Sequence, residues 1–226
     1  MPAHHQRHPR PRQSQDDFKE LYARLAHLGT GDAWGALATI TPERVAAAAR
    51  EVRLGRTVTM AAPVGTRTAP DNPHPAGHRL TGPPEDGEHA HGLHFATDHF
   101  GMNVHGDADS HLDALCHVVY DGTLYGGVPA STVSAEGATA LSVELVRDGI
   151  VGDGNNDTAP SVTDGVDFPV HVLGVHALGL HLLDYLQFED LVSLCEQEGR
   201  WSFLCFIAPL RLPQATGSPV NPITIL

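Results

Sequence analysis

The stretch Asn103-Val-His-Gly-Asp-Ala-Asp-Ser-His-Leu-Asp-Ala-Leu-Cys-His117 places histidine and aspartate at alternate positions. Successive side chains of an extended chain point to opposite sides, so one side would be small and packable. Acids and imidazoles crowded on the other side would be costly to bury unless a cation or hydrogen bonds compensated them. The stretch therefore predicts a divalent metal site on the side that carries Leu115 and the candidate ligands His105, Asp107, Asp109, His111, Asp113 and His117.

The residue types also indicate which metal the site would hold. Carboxylates and neutral imidazoles suit Zn²⁺, Mn²⁺ or Fe²⁺ better than Ca²⁺, which takes only oxygen ligands. If the chain turned helical after Ser110, Asp113 and His117 would still share a face at i, i+4. The alternative is a solvated edge strand, but such edges usually carry lysine, arginine or threonine, which this stretch lacks.

The second half of the stretch resembles a known family. Ser110-His111-Leu-Asp113-Ala-Leu-Cys-His117 is similar to the end of the signature His-x-Gly-Thr-His-x-Asp-x-x-x-His. This signature is typical of the cyclase family of metal-dependent hydrolases, which includes bacterial kynurenine formamidase and isatin hydrolase. The first half differs, because Asp107 stands where the leading histidine would be and His105 lies two residues upstream. A carboxylate can replace an imidazole on a hard divalent ion, so both residues remain candidate ligands.

A later stretch also resembles the family. Pro169-Val-His171, Gly179 and Leu183-Asp184 fit a pattern of Pro-x-His, a short helix that ends at glycine, and a strand that ends in Leu-Glu. In the family the glutamate binds metal, and here Asp184 stands in its place. The resemblance implies that His171 and Asp184 join the metal site and that His117 transfers protons.

Other residues of this half of the chain are weaker candidates. His171, His176 and His181 are spaced five apart, which matches neither a helical nor a strand face, so we expect structural roles for His176 and His181. The turn with Asn156 and Asp157 has no later glutamate at the spacing of a calcium loop, although a related turn lies near the substrate in the family. The ending Thr216-Gly-Ser-Pro219 is a second match to the family.

The resemblance implies an α/β fold, with a swivelling β/β/α-type mixed sheet or barrel and flanking helices. Family members generally have two more strands before the Pro-x-His element, and this block is absent after Gly152. We expect a reduced fold, a fold completed by a second subunit, or a nonfunctional one. Periodicity and capping residues predict helices over 16–28, from Thr41 to about 52 and over 187–198. They also predict strands over 56–62, 93–105 and 201–212, and the last of these strands should be buried. A long loop is expected over 63–89.

Composition limits the class of protein. The 226 residues suffice for one domain, which we place at 16–226 after a disordered arm over 1–15. A net charge of −13 with only 14 lysines and arginines argues against nucleic-acid and anionic-membrane partners. Three scattered cysteines and the lack of an apolar leader or membrane-length run favour a cytoplasmic protein. We expect a homo-oligomer, such as a homodimer, that acts on a small-molecule substrate.

These features lead to a functional hypothesis. We expect hydrolysis of a small amide or lactone at a Zn²⁺ or Mn²⁺ site that activates water, with His117 as general base and then acid. One alternative is a metal-dependent biosynthetic cyclase or dehydratase. Another is a noncatalytic descendant that binds a small ligand. A serine hydrolase is disfavoured because Gly-x-Ser-x-Gly is absent.

Overall fold

The computed structural model of the chain describes residues 13–29, 31–81, 97–106, 108–145, 161, 163–210 and 212–226. Residues 1–12 of the expected arm lie outside these ranges. The described α-helices are α1 (Gln15–Ala26), α2 (Pro42–Ala49), α3 (Pro169–His171), which continues into a π-helical turn over Val172–Ala177, and α4 (Glu189–Glu198). Short 3-10 helices span Gly35–Thr39, Tyr125–Gly127, Ala130–Thr132 and Val143–Leu145. The described strands are β1 (Thr57–Thr59), β2 (Gly77–Thr81), β3 (Thr97–Gly101), β4 (His111–Asp113), β5 (Val133–Ser134), β6 (Gly137–Ala138), β7 (Leu183–Asp184), β8 (Leu204–Phe206), β9 (Gly217–Pro219) and β10 (Ile223–Ile225).

The strands form small antiparallel sheets, and the mixture of helices and sheets confirms the predicted α/β class. One three-stranded sheet has the order β7-β4-β9, and a second has the order β1-β10-β8. β2 pairs with β3, and β5 pairs with β6. The first of these sheets carries three of the candidate ligands, His111, Asp113 and Asp184. Its central strand packs into the larger apolar core through Leu112.

Local sequence signals explain the helices. Ser14 Oγ caps α1 by accepting a hydrogen bond of 3.1 Å from the Asp17 amide, and Phe18 buries the apolar side of that helix. Thr41 caps α2 in the same way, and the helix ends at Ala49, a few residues earlier than expected. The three predicted helices are therefore confirmed, with small differences at their ends.

The C-terminal part of the chain builds a second, smaller core. α4 ends at Gly199, whose φ of +61° is the left-handed conformation that glycine adopts readily after a helix. Leu191 and Leu194 pack with Met60 and Leu226. This core packs α4 against the sheet β1-β10-β8.

Two strand predictions are wrong. The expected loop over 63–89 contains β2, which periodicity missed because the described residues of β2 and β3 are mostly solvent-exposed and show no apolar alternation. The expected buried strand over 201–212 is reduced to β8, and Phe206 is 59% exposed. β8 is one of the two edge strands of its sheet, so its apolar composition does not lead to burial.

Within the described part of the chain, no helix combines the length and the apolar character that crossing a membrane requires.

Candidate metal centre

The register of one small sheet brings the central candidate ligands together. His111 of β4 lies opposite Asp184 of β7, and directly opposed side chains share a face of the sheet. Asp113 follows two residues after His111 and shares that face, while Leu112 between them is fully buried in the core. On the other edge of β4, Asp113 lies opposite Gly217 of β9. Residues about seventy positions apart in the chain thus meet at one place.

The Asp113 carboxylate is the centre of the group and is fully buried. Its Oδ1 lies 3.0 Å from His105 Nδ1 and 3.5 Å from His111 Nε2, and its Oδ2 lies 3.3 Å from His171 Nε2. His171 Nε2 is also 3.2 Å from Asp184 Oδ2. Five of the six predicted metal ligands are therefore in contact with one another.

The helix that carries His171 begins at an unusual backbone position. Phe168 precedes α3 with a left-handed φ of +50°, and Pro169 occupies the first helical position, where its missing N–H costs nothing. The helix then widens into the π-helical turn Val172–Ala177 and stops near Gly179, whose φ is +70°. Such π-turns are frequent at functional sites. The expected short helix ending at glycine is confirmed.

The His105 ring is held by close packing and by a hydrogen bond. Its Nε2 lies 2.9 Å from Thr216 Oγ1, and its ring stacks on that of His117 at a centroid distance of 3.7 Å. A Cβ added at Gly217 would lie 2.7 Å from His105 Cε1, so only glycine leaves room for this ring. When Nε2 donates its hydrogen to Thr216, Nδ1 is left as a lone pair that points at Asp113.

Backbone contacts fix the orientation of His111. Its Nδ1 donates a hydrogen bond of 2.9 Å to the carbonyl oxygen of Asp109, so in the neutral ring Nε2 is the free ligand nitrogen. The Asp109 carboxylate does not face the ligands but accepts a 3.0 Å hydrogen bond from the Gly65 amide. Ser110 Oγ donates to the carbonyl oxygen of Tyr185. Asp109 therefore positions His111 through its backbone carbonyl, while its carboxylate is hydrogen-bonded to Gly65.

The expectation of one long extended face over 105–117 is wrong in part. The strand spans only His111–Asp113, and a turn follows it. Leu115 is fully buried in the apolar core, so it does not share a face with the ligands. His117 lies in this turn and lines the site from there.

The polar atoms at the centre of the group have the character of a cation site. His105 Nδ1 and both carboxylate oxygens of Asp113 are buried, and among the described residues they have no hydrogen-bond partner with acceptable geometry. His105, His111 and Asp113 could hold a metal ion, as could Asp113, His117 and His171. Burial alone would raise the pKa of Asp113, but the imidazoles of His105 and His171 outweigh it and hold the pKa well below its usual range. The residues present therefore fit a divalent metal.

His117 lines a cavity of about 430 Å³ beside these residues. Burial lowers the pKa of His117 to about 4, although the Asp113 charge acts in the opposite direction, and the imidazole is neutral near pH 7. Side chains that we did not predict also line the cavity: Val118, Val119, Asp167, Phe168, Val172 and Tyr185. No apolar or charge pattern in the sequence marks them, apart from their positions next to the predicted ligands.

His176 and His181, for which we expected structural roles, do not line the cavity. His176 Nε2 donates to the Thr123 carbonyl oxygen at 2.9 Å, and its Nδ1 lies 2.8 Å from the Tyr22 hydroxyl, so hydrogen bonds tie it to α1 and to the turn at Thr123. His181 is 3% exposed and does not line the cavity. Burial lowers its pKa to about 4. Three sequence candidates lie outside the described residues: Asp107, Asn156 and Asp157.

Similarity to a solved structure identifies the fold of the chain. Neither a protein-family model nor a curated protein matches the sequence. Among solved structures, the chain is similar to a novel cyclase, with 23% identity, coverage of 86% of this chain and 94% of that chain, and a TM-score of 0.73. An isatin hydrolase bound to the product analogue thioisatinate is more distant, with 15% identity, coverage of 79% and 94%, and a TM-score of 0.39. A predicted metal-dependent hydrolase from Bacillus stearothermophilus has 12% identity, coverage of 75% and 97%, and a TM-score of 0.40.

The fold is therefore that of the cyclases, as the sequence resemblance implied. The solved cyclase is covered over 94% of its length, so the likeness of fold extends over nearly the whole of that chain. The arrangement that sits on this fold is a buried carboxylate surrounded by imidazoles and a second carboxylate, and it opens on a cavity.

Proposed function

We propose that the chain is a metal-dependent hydrolase of a small amide or lactone. The observation that carries this proposal is the buried Asp113 carboxylate, with both oxygens within 3.5 Å of imidazole nitrogens and without hydrogen bonds of their own among the described residues. Such a group is costly to bury unless a cation balances it.

The ligand set favours zinc or manganese. Asp113, His111 and His171 supply one carboxylate and two imidazoles, and Asp184 adds a second carboxylate next to His171. The family signature places a histidine at position 107, four residues before His111; here His105, two residues further upstream, supplies a nitrogen instead. A bound divalent ion lowers the pKa of a water ligand and polarises a carbonyl.

The protein residues around that ion have separate tasks. His117 accepts the proton of the attacking water and passes it to the leaving nitrogen or oxygen, because it lines the cavity and stacks against His105. Asp109 and Thr216 hold the rings of His111 and His105 in the tautomers that leave their inner nitrogens unprotonated.

The experiment compares wild type with His111→Ala after purification without added metal, by elemental analysis and by hydrolysis of a panel of small amides and lactones. His4, His5 and His8 are replaced by alanine in every sample, because histidines near the N-terminus could take up metal. His99→Ala, an exposed histidine of β3, serves as the matched control. We expect His111→Ala alone to lose metal and activity. Full metal content and full activity in that variant would overturn the proposal.

A second candidate is a metal-dependent cyclase or dehydratase, which the likeness to a solved cyclase favours. The same residues would polarise a carbonyl and move a proton without net addition of water. Reaction in ¹⁸O-labelled water separates the two: hydrolysis incorporates the label into the new acid, and cyclisation does not.

A further inference from the structure

The part of the cavity wall that holds no metal ligand has its own chemistry. Histidines, Asp184 and Gly106 line one part of the cavity. The rest of the wall consists of three valines and of Asp167, Phe168 and Tyr185. Among the described residues that line the cavity, none is a lysine or an arginine. The wall therefore offers apolar surface, two aromatic rings and one acid, and it offers no cation to bind a substrate carboxylate.

Both aromatic residues occupy strained backbone positions next to candidate ligands. Phe168 has a φ of +50° and precedes the helix of His171, and Tyr185 has a φ of +57° and directly follows Asp184. The Phe168 ring centroid lies 5.9 Å from that of His171, and the Tyr185 ring centroid lies 5.9 Å from that of His111. Residues other than glycine in this conformation cost free energy and cluster at ligand-binding sites. Each of the two aromatic rings therefore lies beside one of the candidate ligand rings.

Asp167 adds an uncompensated negative charge. The residue is exposed and lines the cavity, and within the described residues it has no hydrogen bond or ion pair. A divalent ion would balance the two carboxylates of Asp113 and Asp184, so Asp167 would leave the cavity with net negative charge. Aromatic faces also attract cations through their quadrupoles. Acid and rings thus favour the same kind of ligand.

We propose that the substrate carries a cationic group, such as an ammonium, that binds between the Asp167 carboxylate and the rings of Phe168 and Tyr185. This inference rests on the proposed hydrolase function, because it places the reacting carbonyl of the same molecule at the metal ligands. An anionic substrate of equal shape binds more weakly, because no described lining residue balances its charge.

The test uses two probes of similar shape that are poor metal ligands, phenyltrimethylammonium and benzenesulfonate. Ligand-observed NMR titrations measure their dissociation constants with the full-length, zinc-supplemented protein. We expect tighter binding of the cation. Asp167→Asn should weaken cation binding by about threefold to fivefold, which is the size of one partly exposed ion pair, without weakening sulfonate binding. Asp167→Lys should reverse the preference.

The controls separate this site from the overall charge of −13, which attracts cations everywhere on the surface. Asp71→Asn removes the same charge from an exposed residue that does not line the cavity, and it should leave both constants unchanged. Equal effects of Asp167→Asn and Asp71→Asn, or a wild type without charge preference, would overturn the inference.

Zinc content, measured in the same samples, distinguishes the two proposals. Protein that binds zinc without any effect of Asp167 contradicts the cation site alone. Protein that binds no zinc but loses its cation preference in Asp167→Asn contradicts the hydrolase and keeps the cation site.

Discussion

Gly217→Ala should disturb the candidate metal centre by displacing β9 or the His105 ring. The added methyl group would lie 2.6 Å from the Leu112 carbonyl oxygen and 2.7 Å from His105 Cε1, both shorter than real Cβ contacts. Relief requires β9 to move away from β4 or the His105 ring to leave its seat, because the carbonyl is backbone and cannot rotate away. Overpacking of this kind costs about 1–3 kcal/mol. If His105 moves, one ligand is displaced, and zinc affinity should fall by about tenfold to hundredfold, as for other disturbed ligand shells.

The assay for this variant pairs urea unfolding with zinc titration against a competing chelator. Gly101→Ala is the matched control, because a Cβ at Gly101 meets nothing within 4 Å and its φ is not left-handed. We expect the control to stay within about 0.5 kcal/mol of wild type. If Gly217→Ala were as stable as the control and bound zinc as tightly as wild type, His105 would not be seated as we describe.

Three further predictions follow from single contacts. Thr216→Val removes the hydrogen bond to His105 Nε2 and should lower zinc affinity about tenfold, whereas Thr216→Ser should keep it, as chelator competition would show. Leu112→Ala empties a fully buried core position and should cost about 2–5 kcal/mol in urea unfolding; a smaller loss would mean that the core closes around it. In the folded chain, burial lowers the pKa of His181 to about 4, whereas the pKa of a histidine in the unfolded chain is about 6.5. Between these two pH values the unfolded chain therefore binds one more proton than the folded chain. Stability should therefore fall as pH falls through that range, by on the order of 3 kcal/mol from this residue, and His181→Leu should flatten the profile.

Local signals in the sequence were sufficient for the helices. Thr41 and Pro42 mark the start of α2, and Gly199 marks the end of α4, because caps act within one turn of the chain. The exposed strand β2 was not predictable from apolar alternation, because only a strand with one buried face shows it. Burial of β8 was overestimated for a related reason: composition does not reveal which strand of a sheet lies at its edge.

The site was predictable in its residue types and less so in its geometry. Asp113 and His171 meet as the resemblance implied, with 3.3 Å between the carboxylate and the imidazole nitrogen. The seat of His105 depends on Thr216, which is more than a hundred residues away in the chain and has no ligand chemistry of its own. Phe168 and Tyr185 line the cavity and have a left-handed backbone conformation. A sequence does not indicate this conformation for residues other than glycine.

The most direct test of the metal centre is the metal content of Asp113→Asn. The substitution keeps the shape of the side chain and removes the charge that lies within 3.5 Å of the nitrogens of His105, His111 and His171. With His4, His5 and His8 replaced by alanine in every sample, elemental analysis should find at least one equivalent of zinc or manganese in the otherwise wild-type protein and in the control Asp71→Asn, and almost none in Asp113→Asn. If Asp113→Asn retained the wild-type metal content, a cation would not be what holds this buried group together.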